Sequence, residues 1–145
     1  MTNAAANRGW WFAVRRWLFG RNAWRPASAL GVRAEDEAVR HLRGLGYTIL
    51  DRNVRVTMGE ADVVVRDPAG AIAVVEVKSR VLEPGVEHPP PEAAVTRDKR
   101  RRLVRILRHL ARANQWSGPL RIDVVAIDWT DDRPAAVRHY VDAVR

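Results

Sequence analysis

The stretch "AVVEVKSR", residues 73–80, reads as a buried strand that carries two charges. Val74, Val75 and Val77 have the branched apolar side chains of a sheet interior. Glu76 and Lys78 interrupt them. Side chains alternate faces along a strand, so these two charges point the same way. A buried charge is costly unless something pairs with it or binds it.

The run before it has the same character. "GEADVVV", residues 59–65, sets Glu60 and Asp62 ahead of three valines. The turn signal "RDPAG", residues 66–70, predicts a hairpin joining this run to "AIAVVEV", residues 71–77. Period-two alternation puts Glu60 and Asp62 on one face. A hairpin would then bring Glu60, Asp62, Glu76 and Lys78 together. Clustered carboxylates repel one another and take up protons unless a cation is present. Oxygen ligands of this kind suit Mg²⁺ or Mn²⁺. A lysine beside them can hold or help deprotonate a water, or stabilise charge developing on a phosphate. Glu-x-Lys also occurs in ordinary surface ion pairs. Its place inside two valine-rich runs favours a site.

Working outward, Ala34, Ala38, Leu42 and Leu45 recur at helical spacing and predict a helix from Val32 to Leu45, stopped by "GLG" at 44–46. "YTIL" (47–50) and "NVRV" (53–56) read as short strand-like runs. "VLEPGVEHPPPE" (81–92) is a Pro-rich loop and a candidate lid. "TRDKRRRLVRILRHLARAN" (96–114) predicts a second helix with a stripe of Leu103, Ile106, Leu107, Leu110 and Ala111, capped by Thr96 or Asp98. "RIDVVAIDW" (121–129) is a further buried strand, and "AAVRHYVDAV" (135–144) an edge strand. The order α-β-β-β-α-β predicts an α/β fold, a mixed central sheet flanked by helices.

The length of 145 residues and the hydrophobic content of 47% predict one domain with a single core, over residues 31–145. The chain has no cysteine, which excludes disulfides and thiolate metal sites and predicts a cytoplasmic location. His41, His88, His109 and His139 show no ligand spacing, so zinc is not expected. The net charge of +8 favours a polyanionic partner, nucleic acid before anionic membrane. The first 30 residues hold five arginines and no acid, leaving 20 of the 25 basic residues to face all 17 acids in the remainder. Part of the excess therefore belongs to a basic, Trp-rich N-terminal extension, residues 1–30, expected to be poorly ordered or a surface helix. Residues 8–24 set Trp10, Ala13, Val14, Trp17 and Leu18 on one helical face, which is the pattern of a helix lying on an anionic membrane. The apolar run "GWWFAV" is too short to span one.

The order Asp62, a spacer, then Glu76-Val77-Lys78 resembles the motif of the restriction-endonuclease-like nucleases. "GVRAEDEA", "LGYTILDRNVR", "GEADVVV", "VVEVKSR", "PEAAVTRDKRRRL" and "RIDVVAI" together resemble the YraN-like family of small bacterial proteins, across nearly all of residues 31–145. That family has an endonuclease-like core and is similar to archaeal Holliday junction resolvases. The resemblance implies a restriction-endonuclease-like core and a metal-dependent nuclease acting on DNA, including branched or junction DNA. It implies Asp62 and Glu76 as the principal metal ligands, with the Val77 carbonyl as a third oxygen, and Glu35 as a further ligand, direct or through water. Lys78 would position or activate the attacking water, and Glu60 would support the site. Arg80, Lys99 and Asp123 match recurrent positions: Arg80 for nucleic acid, Lys99 for a phosphate, Asp123 as a structural or supporting group. Ala61 stands where the family usually has a larger aliphatic residue, and residues 1–30 have no counterpart in it.

Residues 97–112 carry eight basic side chains and one acid. Lys99, Arg100, Arg101 and Arg102, near the helix start, are the expected phosphate contacts, while Arg108 and Arg112 read as plain surface. No base-reading motif appears, so recognition by shape is expected, of DNA rather than RNA. A homodimer would suit two-fold junction cutting, by analogy. The alternative is a nucleic-acid-binding protein without catalysis, built on the same fold.

Overall fold

The computed structural model describes residues 29–87, 89, 95–131 and 133–143. Helix α1 (Ala29–Gly44) turns Ala34, Ala38, Val39 and Leu42 inward on one stripe. It ends where Gly46 takes a φ of +84° and the N–H groups of Gly46 and Tyr47 bond the carbonyls of Arg43 and Leu42. Leu45, expected on the buried stripe, lies past this last turn and is exposed. The two runs expected at 47–56 form one strand, β1 (Thr48–Val56), whose register shifts between Ile49 and Asp51. That shift, where the Asp51 carboxylate accepts the Arg52 N–H, is why the pattern breaks in the sequence.

Strands β2 (Gly59–Arg66) and β3 (Ile72–Val81) form the expected hairpin. Its turn is closed by Asp67, whose side chain accepts the Ala71 N–H, and by Gly70 at φ +95°. Helix α2 (Arg97–Ala113) is capped by Thr96, which accepts the Lys99 N–H. It carries the chain over to β4 (Leu120–Thr130), parallel to β3. A parallel pair needs such a crossover. β5 (Arg133–Tyr140) then returns antiparallel along β4. The sheet order is β1-β2-β3-β4-β5, antiparallel except for β3–β4. This is the expected α/β arrangement, a mixed central sheet flanked by helices, with β5 at its edge.

The sheet has a core on each face. α1 packs Ala34, Ala38 and Leu42 on Val63, Val75 and Val125. α2 packs Leu103, Ile106 and Leu110 on Val64, Val74 and Val124. Each such burial of a Val or Leu contributes about 1.5–3 kcal/mol. Both faces are covered, which explains why the central strands read as continuous valine runs. Residues 1–28, with the extension and the membrane-helix reading of residues 8–24, lie outside the described residues. So do residues 88 and 90–92 of the Pro-rich loop. Among the described residues no helix is long and apolar enough to cross a membrane.

Candidate active site

The site forms where β2 and β3 part. Their ladder pairs run from Arg66–Ile72 to Val63–Val75 and stop there. The Val77 N–H beyond is no longer held by a strand partner. It donates instead to Asp62 Oδ2 at 2.7 Å. Facing changes at the same point. Ala61 packs in the α2 core and Val63 in the α1 core, although two residues apart. The period-two alternation therefore slips by one residue across Asp62. On β1, Asn53 lies opposite Asp62, between the pairs Arg52–Val63 and Val54–Ala61, and it has a φ of +51°. Asparagine tolerates this left-handed conformation better than most residues. The paired slip turns Asp62 toward Glu76.

Glu76 is 3% exposed, on the α2 side of β3. Two lysines reach it: Lys78 Nζ lies 3.0 Å from Oε1, and Lys99 Nζ, from the first turn of α2, lies 3.2 Å from Oε2. The Lys99 contact is a charge contact without hydrogen-bond alignment, since Oε2 is buried and makes no hydrogen bond. Burial pushes the Asp62 carboxyl up to about 7, helped by the charge of Glu76, against the Val77 N–H and Lys99, which lower it. Glu35 adds to the rise from α1. Its Oε2 accepts from Asn53 Nδ2 at 2.9 Å and lies 3.8 Å from Arg52.

The structure thus brings Asp62, Glu76, Lys78 and Lys99 together, with Glu35 beside them. Glu60 does not join them. Because of the slip it faces away from Asp62, is 56% exposed at its side chain, and pairs with Arg55 of the neighbouring β1 at 3.0 Å. Arg80 is held by the Asp128 carboxylate and the Pro89 carbonyl. Arg100 donates to the Val95 carbonyl, and Arg101 is exposed beside Asp98 on its own helix. Arg102 lays its stem over Gly59, where a Cβ would sit 2.6 Å from its Cδ, so a side chain there would push the arginine aside.

Asp123 belongs to a different cluster. It is fully buried and accepts from Arg121 Nε and the Asp142 N–H, both at 2.9 Å, with His139 Nε2 at the same distance. Arg121 also reaches Asp67 and Tyr47. Burial pushes Asp123 up, but the hydrogen bonds from His139, Arg121 and Asp142 outweigh it and hold the carboxyl below its usual range. The cluster ties the hairpin turn to the C-terminal segment.

A profile of the uncharacterised protein family UPF0102 matches residues 34–127. The chain belongs to that family. UPF0102 is the YraN family whose motifs the sequence carries. A UPF0102 protein from Ralstonia nicotianae is 39% identical over 105 residues, covering 72% of this chain and 81% of its own. One from Clavibacter michiganensis is 45% identical over 107 residues, covering 69% and 82%. The crystal structure of a repair endonuclease from Pyrococcus abyssi overlaps 76% of this chain with a TM-score of 0.41 and 18% identity. This chain spans 42% of that one, less than half its length. The UPF0102 match takes in Glu35, Asn53, Asp62, Glu76, Lys78 and Lys99, and ends before Asp128 and β5.

Among the described residues no three His, Asp or Glu side chains gather closely enough to enclose a metal ion. Two carboxylates are nevertheless a sufficient protein contribution for Mg²⁺, which keeps several waters and takes further oxygens from substrate phosphates. Asp62 and Glu76 fit this on two counts. They are hard oxygen donors, and both lack satisfaction: Glu76 Oε2 has no hydrogen bond, and Asp62 is driven toward its protonated form. In this UPF0102 chain, sequence reasoning missed Asn53, which carries Glu35 and sits opposite Asp62. An asparagine opening the second strand-like run was the available signal.

Proposed function

We propose that this protein is a metal-dependent nuclease that hydrolyses phosphodiester bonds in DNA, with branched or junction DNA as the favoured substrate. One observation carries the reading: a buried carboxylate, Glu76, and a half-buried one, Asp62, lie together at a strand split with two lysines against Glu76. Asp62 and Glu76 would hold Mg²⁺ or Mn²⁺, with Glu35 as a further oxygen through water. The ion, when bound, supplies Lewis-acid charge to phosphate oxygens and makes water more acidic. Lys78 would orient the attacking water and stabilise the negative charge that develops on the phosphate. Lys99 and Arg102, at the start of α2, would hold the phosphate backbone, and the Val77 N–H would fix the Asp62 carboxylate. The protein would act in the cytoplasm, and a homodimer would place two such sites for paired cuts.

The test is purified full-length protein incubated with branched, nicked and linear DNA plus Mg²⁺ or Mn²⁺. Cleavage is expected, and its loss in Asp62→Ala and Lys78→Ala. Cleavage that survives unchanged in both variants would sink the site. A second reading is binding without catalysis. It is favoured by the way both lysines already neutralise Glu76. Salt-dependent DNA binding with no turnover under any divalent metal, and no ion bound in calorimetry, would select it.

A further inference from the structure

Asp128 is 4% exposed on β4, yet two arginines converge on it. Arg80 Nε donates to Oδ1 at 2.6 Å, and Arg138 Nη2 donates to Oδ2 from β5. Burial pushes the Asp128 carboxyl up, and the hydrogen bonds from Arg80 and Arg138 outweigh it, so it stays ionised. One carboxylate offsets one guanidinium. The cluster therefore keeps a net positive charge, on a face that already carries Lys78.

The register locates this charge. Lys78 and Arg138 both pair with Ala126, from opposite sides. Their backbones are thus two strand spacings apart, about 10 Å. Arg80, Asp128 and Ala136 pair in the next row on the same face. The apolar stripe of α2 rests on Val64, Val74, Ile122 and Val124, earlier along the strands. Rows 126 and 128 of β4 lie past that footprint. In the first of these rows a small residue, Ala126, separates Lys78 from Arg138, and in the next Asp128 separates Arg80 from Ala136. The cations run from Lys99 through Lys78 and Arg80 to Arg138, whose side chain is 39% exposed.

We propose that Arg138, braced by Asp128 alongside Arg80, binds a phosphate of the nucleic-acid strand and sets its path over the β5 side of the site. This rests on the nucleic-acid reading above and extends the contact surface to a strand beyond the UPF0102 match. Arginine suits the task because its planar fork matches phosphate oxygens and keeps its charge. Asp128 is a positioning residue: by fixing the guanidinium before binding, it reduces the ordering cost of the contact. A purely structural triad would hold the same contacts and make no difference to DNA.

The experiment is fluorescence-anisotropy titration of the full chain with labelled junction DNA, in EDTA to prevent cleavage, across a salt series. Arg138→Ala is expected to weaken binding about tenfold and to reduce the slope of log K against log salt by about 1. Arg138→Lys is expected to recover most of the slope, because the point charge remains. Arg108→Ala, exposed on α2, serves as the comparison and is expected to leave the slope unchanged. Arg80 still neutralises Asp128 in Arg138→Ala, so the variant is expected to fold, which its circular dichroism and Tm check. Wild-type slope in Arg138→Ala overturns the inference while leaving the nuclease reading intact. Equal losses in Arg138→Ala and Arg108→Ala also overturn it, since the effect is then one of overall charge. No salt-dependent DNA binding by the wild-type protein overturns both readings.

Discussion

The Val77 N–H donates to Asp62 Oδ2 at 2.7 Å, one step past the end of the β2–β3 ladder. A backbone group freed by the strand split is thus spent on orienting a carboxylate. The same split leaves that carboxylate half-buried and desolvated beside Glu76, which pushes it up to about 7.

Asp62→Asn is expected to reduce cleavage by at least about 100-fold. Its effect on stability should depend on pH. The Asp62 carboxyl sits at 3.8 when unfolded and at about 7 when folded. Protonation therefore favours the folded state, a contribution fully present below about pH 4 and lost as pH rises through about 7. Without divalent ions, wild-type Tm should fall between pH 5 and 8 more steeply than that of the variant, with asparagine more stable by about 1–3 kcal/mol at pH 8. Parallel pH curves would count against a desolvated, proton-holding Asp62. Mn²⁺ at about 100 times its Kd should add about 2.7 kcal/mol to the wild type at pH 8 and little to the variant.

The two lysines share one acid, so their losses should not add. Lys78→Met is expected to cut turnover by about 100-fold or more while shifting stability by under about 1 kcal/mol, because Lys99 still faces Glu76. Lys99→Met should weaken DNA binding with a similarly small loss of stability. The double variant leaves Glu76 buried without a counter-charge and should cost about 3–5 kcal/mol. A double-mutant cycle in chemical denaturation measures this, and strict additivity would refute the shared-partner geometry.

Asn53→Ala is expected to destabilise the protein by about 1–3 kcal/mol, combining a left-handed backbone with the loss of the bond to Glu35. Asn53→Gly separates the two effects. It accepts the φ of +51° but still releases Glu35. It should recover most of the stability and retain a cleavage defect of about tenfold. Wild-type cleavage in Asn53→Gly would show that Glu35 need not be held.

Asp123→Ala should act on the fold alone. It strips Arg121, His139 and the Asp142 N–H of a common acceptor, at a cost of about 3–5 kcal/mol at pH 7. The folded carboxyl lies below its usual range, so its contribution is present above about pH 4 and lost as pH falls through the folded value. The gap between wild type and variant should therefore shrink in acid, read from Tm at pH 7 and pH 3.5. DNA affinity, scaled to the folded fraction, should match the wild type. A loss beyond that fraction would place Asp123 in the site.

The sequence by itself determined the elements and the candidate charges. Valine runs over 63–65 and 74–77, a stripe of leucines from Leu103 to Leu110 and the turn at 66–70 dictated strands, helix and hairpin, because each signal is local and periodic. Asp62, Glu76 and Lys78 stood out because their charges broke those periods. The tertiary structure alone decided which charges meet. Glu60 obeys the same alternation on paper, yet the slip at Asn53 and Asp62 turns it to the other face, and that slip arises from pairing between two strands. Lys99 carries the same charge as Arg101, but only the packing of α2 on the sheet brings Lys99 to Glu76 and leaves Arg101 in solvent. Arg138 lies 62 positions from Glu76 in sequence, and it shares a face with Lys78 because β4 separates their strands by a single small residue.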